Sequence, residues 1–315
     1  MKRRSFLKMM SAAAFMPAVG GCKLFDGGAA AFDDNLTVLF SDVHINGVEG
    51  RPTYQKPLLA AKVAEVLRMD PLPRNALIFG DLAWIFGEKK DYEASFPLVK
   101  LMMDAGIRVR VAMGNHDHRR PFFDFYPEQE KTTPVPGKVV SITDLGTADF
   151  IMIDSLKENP KGAGSGNAVD GGLDTDMQEW LAAEIQKRNR PFFVGCHHPI
   201  KELSVKGTPL VKVLDAVPNC VGYIHGHDHR WEDYWFHANY KNRRIFRHLC
   251  LPSTGHWGDI GYALLRTSAD RAVVTLKQDD FFFPTPLKPG EARPVAWDEK
   301  VAEHRNATCS FYYNR

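Results

Sequence analysis

Along the chain, short apolar runs alternate with segments whose apolar positions recur at helical spacing. The runs at 36–40, 76–79, 109–113, 150–153, 192–196 and 221–224 have the length of buried strands. Between them, residues 57–69 place Leu59, Val63, Val66 and Leu67 at helical spacing. Residues 92–105, 175–187 and 210–217 read as further helices, with Pro97 in or near the first. Strand–helix alternation predicts a mainly parallel sheet with helices on its faces. After Trp231 the period changes. Trp235 and the segments 245–250, 262–265 and 272–277 read as strands joined by turns, Ser268-Ala269-Asp270 being one turn. Antiparallel pairing is therefore expected late in the chain. Residues 281–315 are too few for another domain. Their aromatic groups, Phe281 to Phe283 and Phe311 to Tyr313, should hold them against the body as a packed tail.

Charge separates an N-terminal address from this body. Residues 1–21 carry Lys2, Arg3, Arg4 and Lys8 and no acid; without them the balance is 36 basic to 38 acidic residues. A near-neutral body has no bulk field for a polyanion, so no nucleic acid is expected as a structural partner. Hydrophobic residues make up 44% and charged residues 25%, which excludes disordered and multi-span membrane classes. The segment Lys2-Arg3-Arg4-Ser5-Phe6-Leu7-Lys8 resembles a twin-arginine export signal, followed by an uncharged stretch too short to span a bilayer. It ends Val19-Gly20-Gly21-Cys22, which resembles a lipoprotein processing site. The expectation is a signal peptide over 1–21, a lipidated Cys22 with a Gly- and Ala-rich tether over 22–35, and one folded domain over 36–280. Membrane contact would come only through the N-terminal lipid, in the periplasm or cell envelope. Export of a folded chain would leave Cys196, Cys220, Cys250 and Cys309 without a required disulfide framework; Cys196 and Cys220 sit in apolar runs as small core residues.

The candidate chemistry lies where the apolar runs end. Residues 36–40 lead into Asp42-Val43-His44, 76–79 into Gly80-Asp81, and 109–113 into Gly114-Asn115-His116-Asp117. The fifth run leads into His197-His198-Pro199, and the sixth into Gly226-His227-Asp228-His229. In open α/β sheets, sites form beyond the carboxyl ends of the strands. Residues two apart on an extended chain point the same way, so Asp42 and His44 could grip one metal and His227 and His229 could face one pocket. Each piece alone has a bland reading as a turn or a surface His. Five such clusters in this order do not.

The set resembles the calcineurin-like metallophosphoesterase family, whose pattern is Asp-x-His, Gly-Asp, Gly-Asn-His-Asp/Glu, a later His and Gly-His-x-His. The resemblance covers residues 36–277. It implies two β-sheets packed face to face in an α/β sandwich flanked by helices, with a binuclear site of two divalent or mixed-valence ions (Mn, Fe or Zn). It implies that Asp42, His44 and His229 hold the first metal, that Asn115, His197 and His227 hold the second, and that Asp81 bridges them with one oxygen to each. His197 is preferred to His198 because the family ligand lies two residues before Pro. His116 would be the catalytic general acid and Asp117 its partner, with a metal-bridging hydroxide attacking phosphorus. Trp84 stands where purple acid phosphatases carry a Tyr ligand, so the chain resembles the phosphodiesterase-type branch more. The implied substrate is a small phosphoester, either mono- or diester. A non-catalytic surface lipoprotein binding phosphorylated ligands is the alternative, and competent residues at every ligand position argue against it. His118, His198, His225 and His256 read as packing residues that could reach phosphate, Arg119 and Arg120 as a solvated loop, and residues 155–172 as a connector or a lid.

Overall fold

The computed structural model describes residues 30–236, 246–305 and 307–313. Strand β1 (Phe32–Phe40) is followed by α1 (Gln55–Val66), β2 (Leu72–Ile78), α2 (Lys89–Asp104) and β3 (Arg108–Val111). Two short helices, α3 (Arg119–Phe123) and α4 (Pro127–Thr132), lead to β4 (Ser141–Asp144) and β5 (Asp149–Met152). Helix α5 (Thr175–Gln186), capped by the Asp174 side chain accepting from the Met177 amide, precedes β6 (Phe192–Gly195). After a small hairpin of β7 (Ser204–Val205) and β8 (Thr208–Pro209) come α6 (Leu210–Asp215) and β9 (Cys220–His225). The chain then turns antiparallel through β10 (Glu232–Phe236), β11 (Phe246–Cys250), β12 (Gly258–Thr267) and β13 (Arg271–Phe282), and ends in α7 (Val295–Glu303) and β14 (Thr308–Tyr312).

Among the described residues, the long strands form two mixed sheets. One runs β14-β13-β12-β1-β2-β3, with β1, β2 and β3 parallel. The other runs β10-β11-β9-β6-β5-β4, with β11, β9, β6 and β5 parallel. Side chains alternate between faces along each strand. Val38 and Phe40 of β1 point to a core shared with Leu59, Val63 and Tyr92 of the helices, while Leu39 points to a core shared with Phe150, Phe193 and Ile224 of the other sheet. The second sheet buries Ile151, Val194 and Tyr223 against Met177, Leu181 and Leu214 of α5 and α6. The layers are helix, sheet, sheet, helix. Strands buried on both faces have no polar side to show, which is why they read as unbroken apolar runs.

Two expected boundaries move. Residues 32–35, expected in the tether, belong to β1 and pair with β2 through Phe32↔Leu72 and Asp33↔Pro73. The boundary at 280/281 falls inside β13, and the expected tail contributes β14, whose Val274↔Cys309 pairing makes it the edge of the first sheet. Strand β4 was not visible as a run because its residues Ser141-Ile142-Thr143-Asp144 bury only one side chain. The signal peptide and Cys22 lie outside the described residues. Cys196, Cys220, Cys250 and Cys309 are buried and none forms a disulfide. Among the described residues no helix is long and apolar enough to cross a membrane.

Candidate active site

The C-terminal ends of β1, β2, β3, β6 and β9 bring Asp42, His44, Asp81, Asn115, His116, His197, His227 and His229 together. The backbone there is unusual. Asp42, His44, Asp81, His227 and His229 all have φ between 48° and 74°, a left-handed conformation that ordinary residues rarely adopt. The grip of Asp42 and His44 therefore does not come from strand alternation, as expected, but from a tight left-handed turn. Backbone bonds from Asp42 N to the Gly80 carbonyl (3.2 Å) and His44 N to the Asp81 carbonyl (2.7 Å) hold that turn against the next loop. Strain of this kind persists only where the surroundings over-determine it. Two motif glycines have a steric reason. A Cβ at Gly114 would collide with the Asp81 carboxylate, and one at Gly226 with Ser41 Oγ and Asp42 Oδ2.

The imidazoles are oriented by backbone carbonyls. Nδ1 of His44 donates to Trp84 O (2.9 Å), Nδ1 of His197 to Phe79 O (2.8 Å), and Nδ1 of His229 to Trp257 O (3.1 Å). A carbonyl can only accept, so these bonds fix the tautomers and leave each Nε2 with a lone pair facing inward. His44 Nε2 and His229 Nε2 then stand 3.3 Å apart, two lone pairs opposed. His197 Nε2 faces Asn115 Oδ1 (3.0 Å), Asp81 Oδ2 (3.2 Å) and His227 Nδ1 (3.1 Å). Asp42 Oδ1 lies 3.0 Å from His229 Nε2. A cavity wall of inward lone pairs and carboxylates is a site for cations, and the backbone-anchored His is the usual way to orient a metal ligand. The donor set thus fits a dimetal site, with Asp42, His44 and His229 in one cluster and His197, His198 and His227 in another. The groupings Asp42–His44–His229, His44–Asp81–His116 and Asp42–Asp81–His197 each keep their ligand atoms within 4.8 Å of one another.

Electrostatics agree. Burial alone would raise the Asp42 carboxyl, but the His229 and His197 imidazoles outweigh it and hold it below the usual carboxylate range. Asp81 is likewise lowered: burial opposes, and His197 and His116 prevail. Burial disfavours charge on His197, yet Asp81 and Asp42 pull it up to about 10, so the pocket favours a positive charge at that Nε2. His44 is pushed well down, by burial first and then by the neighbouring His256.

Asp81 lies between the two clusters. Its Oδ1 accepts the His116 backbone amide (2.8 Å), and Oδ2 alone sits between His197 Nε2 (3.2 Å) and His44 Nε2 (3.5 Å). Asp117 is not the partner of His116. Its carboxylate is buried and accepts from Ala83 N and Tyr92 Oη on Oδ1 and from Gly114 N and Leu82 N on Oδ2. Burial and the nearby Asp81 push its carboxyl up to about 6. His116 instead donates Nδ1–H to the Ile85 carbonyl (2.9 Å), and its side chain remains 30% exposed at the mouth of the site, with Nε2 4.0 Å from Asp81 Oδ2.

Arg119, expected in a solvated loop, is not exposed. Arg119 is buried and bonds Asp154 with two nitrogens (2.8 Å each), Glu158 (2.7 Å) and the Leu156 carbonyl. His118 is buried between Glu158 and the Ser165 carbonyl. Residues 155–172 are tied to the site: Asn167 Nδ2 donates to the carbonyls of Asn115 (2.9 Å) and Asp117 (2.8 Å). Asp154 follows β5 as Asp42 follows β1, so an acid at a strand end was the available signal. His198 packs beside His197, with Nδ1 against Ser155 Oγ and Nε2 buried and unpartnered. His256, half-buried, lies with its ring 4.3 Å from that of His44.

The family profile described as calcineurin-like phosphoesterase matches residues 36–231. A probable cyclic nucleotide phosphodiesterase of Rhodopseudomonas palustris is 24% identical over 290 residues, covering 88% of this chain and 93% of that protein. Among solved structures, a dimetal phosphatase from Danio rerio superposes with a TM-score of 0.58 at 15% identity, over 77% of this chain and 96% of that one, a likeness of fold. With the profile spanning most of the two-sheet core and all five ligand-bearing loops, the chain belongs to the calcineurin-like phosphoesterase family and is a metallophosphoesterase.

Proposed function

We propose that the protein hydrolyses small phosphodiesters. The observation that carries the reading is the pair of inward lone-pair sets joined by Asp81 Oδ2. Asp42, His44 and His229 would hold one metal, Asn115, His197 and His227 the other, and Asp81 would serve both. Bound there, the metals would supply Lewis-acid stabilisation of the phosphoryl oxygens and activate a water for attack on phosphorus. The chain's own residues do the rest. Gly80, Gly114 and Gly226 let the loops approach closely enough for the ligand atoms to converge. His116, its Nδ1–H fixed on Ile85, turns Nε2 to the exposed mouth and there hands a proton to the leaving oxygen. Asp117 holds the loops of Leu82 and Gly114 together and so places His116 and Asp81. Buried Arg119 and Asp154, with the partly exposed Glu158, brace the same loop.

The relative named a probable cyclic nucleotide phosphodiesterase supports the diester reading. We further propose that residues 1–21 export the chain by a twin-arginine route and that Cys22 carries the lipid that anchors it. The test is a panel of phosphate mono- and diesters assayed on one metal-replete preparation. The reading expects diesters to be cleaved with the larger kcat/KM. Hydrolysis of monoesters alone would replace it with a phosphatase.

A further inference from the structure

Residues 155–172, which lead from β5 to α5, form a strap against the loop that carries His116. The strap is bonded to itself: Asn159 N donates to Asn167 Oδ1 (2.8 Å), and Asn159 Nδ2 to the Gly166 carbonyl (2.7 Å). It is bonded to its surroundings by Gly164 N donating to the Phe86 carbonyl (2.8 Å) and by the Ser165 carbonyl, 3.0 Å from His118 Nε2. Asn167, half-buried, reaches from it to the loop. We propose that Asn167 is a positioning residue for His116, acting through the peptide unit between Asn115 and His116 to aim the imidazole at the leaving oxygen.

Three observations lead there. The first is that the Asn167 amide can face only one way. Its Nδ2 lies 2.9 Å from the Asn115 carbonyl and 2.8 Å from the Asp117 carbonyl, and two carbonyls can only accept. Both amide protons are therefore directed at the loop, one on each side of His116, and Oδ1 is left for Asn159. The second is that the peptide unit entering His116 is held at both ends. Its carbonyl accepts from Asn167, and its N–H donates to Asp81 Oδ1 (2.8 Å). Rotation of that unit would move His116 and break the bond to Asp81 together. The third is that the His116 side chain has little else to fix it. It is 30% exposed, donates Nδ1–H to the Ile85 carbonyl, and meets the His44 ring edge to face at 5.1 Å. The strap reaches this support too, because Phe86, which accepts from Gly164, follows Ile85 in the chain. The Asp117 carboxylate braces Gly114 on the same loop, whereas the carbonyl entering His116 is braced by Asn167.

The role of His116 as an acid rests on the phosphodiesterase reading; its placement by Asn167 does not, and the two are measured separately. Asn167→Ala and Asn167→Asp are made in the full-length, metal-loaded protein, each alone and combined with His116→Ala. The aspartate is isosteric and keeps the acceptor for Asn159, but it turns an oxygen toward two carbonyls, so it serves as the second variant if alanine loosens the whole strap. Exchange of the His116 amide, followed by NMR, should quicken on the order of tenfold in Asn167→Ala, as the loss of one or two ordinary hydrogen bonds allows. Metal content should equal the parent's. For an alkyl phosphodiester kcat should fall by a similar factor with KM unchanged, and for a nitrophenyl ester much less. In the His116→Ala background the same substitution should cost the alkyl ester nothing further, because residues that act as a unit are not additive. Faster His116 exchange in a protein whose parent cleaves no ester would keep the positioning role and remove the phosphodiesterase reading. A kcat loss of equal size with and without His116, or His116 exchange unchanged in Asn167→Asp, would overturn the inference.

Discussion

Replacing Asp117 by Asn should cost stability before it costs chemistry. If Asp117 oriented and charged His116, the substitution would be structurally mild and its loss would grow with the basicity of the leaving group. The structure says otherwise. Both carboxylate oxygens accept, Oδ1 from Ala83 N (3.0 Å) and Tyr92 Oη (3.1 Å), Oδ2 from Gly114 N (3.0 Å) and Leu82 N (3.3 Å). An amide can keep its oxygen toward one pair, but its NH2 must then face two donors. Two hydrogen bonds to a charged acceptor are lost in a fully buried place, at about 1.5–3 kcal/mol each, so about 3 kcal/mol net after relaxation is a low estimate. For a domain of this size about 3 kcal/mol lowers the melting temperature by roughly 6–12 °C. Thermal unfolding by circular dichroism reads that shift directly. Turnover should fall by one similar factor for nitrophenyl and alkyl esters, because the loop bearing Asn115 and His116 loosens as a unit. A variant as stable as the parent that has selectively lost the alkyl ester would refute this reasoning and restore the His116–Asp117 pair.

Other substitutions separate the remaining roles. His116→Ala should slow an alkyl phosphodiester by about 10²–10⁴-fold and a nitrophenyl ester much less, with metal content unchanged; equal losses would assign His116 to phosphate positioning. Burial opposes ionisation of Glu158, but its hydrogen bond from His118 and the Arg119 guanidinium prevail and bring its carboxyl down to about 2. A carboxyl lower in the folded than in the unfolded chain adds stability above its ordinary value of about 4.5 and loses it as pH falls toward 2, so Glu158→Gln should flatten the acid limb of a plot of melting temperature against pH. Arg3→Lys with Arg4→Lys should strand the precursor in the cytoplasm, whereas Cys22→Ala should allow export and block lipid attachment; fractionation and mass spectrometry of the mature N-terminus read both outcomes.

Much of the fold was legible because strands covered on both faces betray themselves as apolar runs. β1, β2, β5, β6 and β9 each have an inner and an outer core to fill. Strand β4 and strand β14 were not legible, since an edge strand of four or five residues buries only alternate side chains and leaves a signal no longer than a turn. The polar clusters at the strand ends were legible as a set, but their geometry was not. Alternation along an extended strand is the simplest account of Asp42 and His44, and positive φ at both residues replaces it. The spacing could not reveal that Asp117 would turn from His116 toward backbone amides, because the partners Leu82, Ala83 and Gly114 come from loops that meet only in the folded chain. Arg119 looked like a loop cation for the same reason: Asp154, its partner, is 35 residues away.

Asp81, whose Oδ2 lies between His197 Nε2 and His44 Nε2, is the residue that would serve both metals. Metal analysis of Asp81→Asn, purified beside the parent and normalised to protein, tests it most directly. About two ions per chain are expected in the parent, with near-complete loss of both from the variant, since an amide offers no bridging anion between His44 and His197. Two ions retained in Asp81→Asn, or the loss of only one, would contradict it.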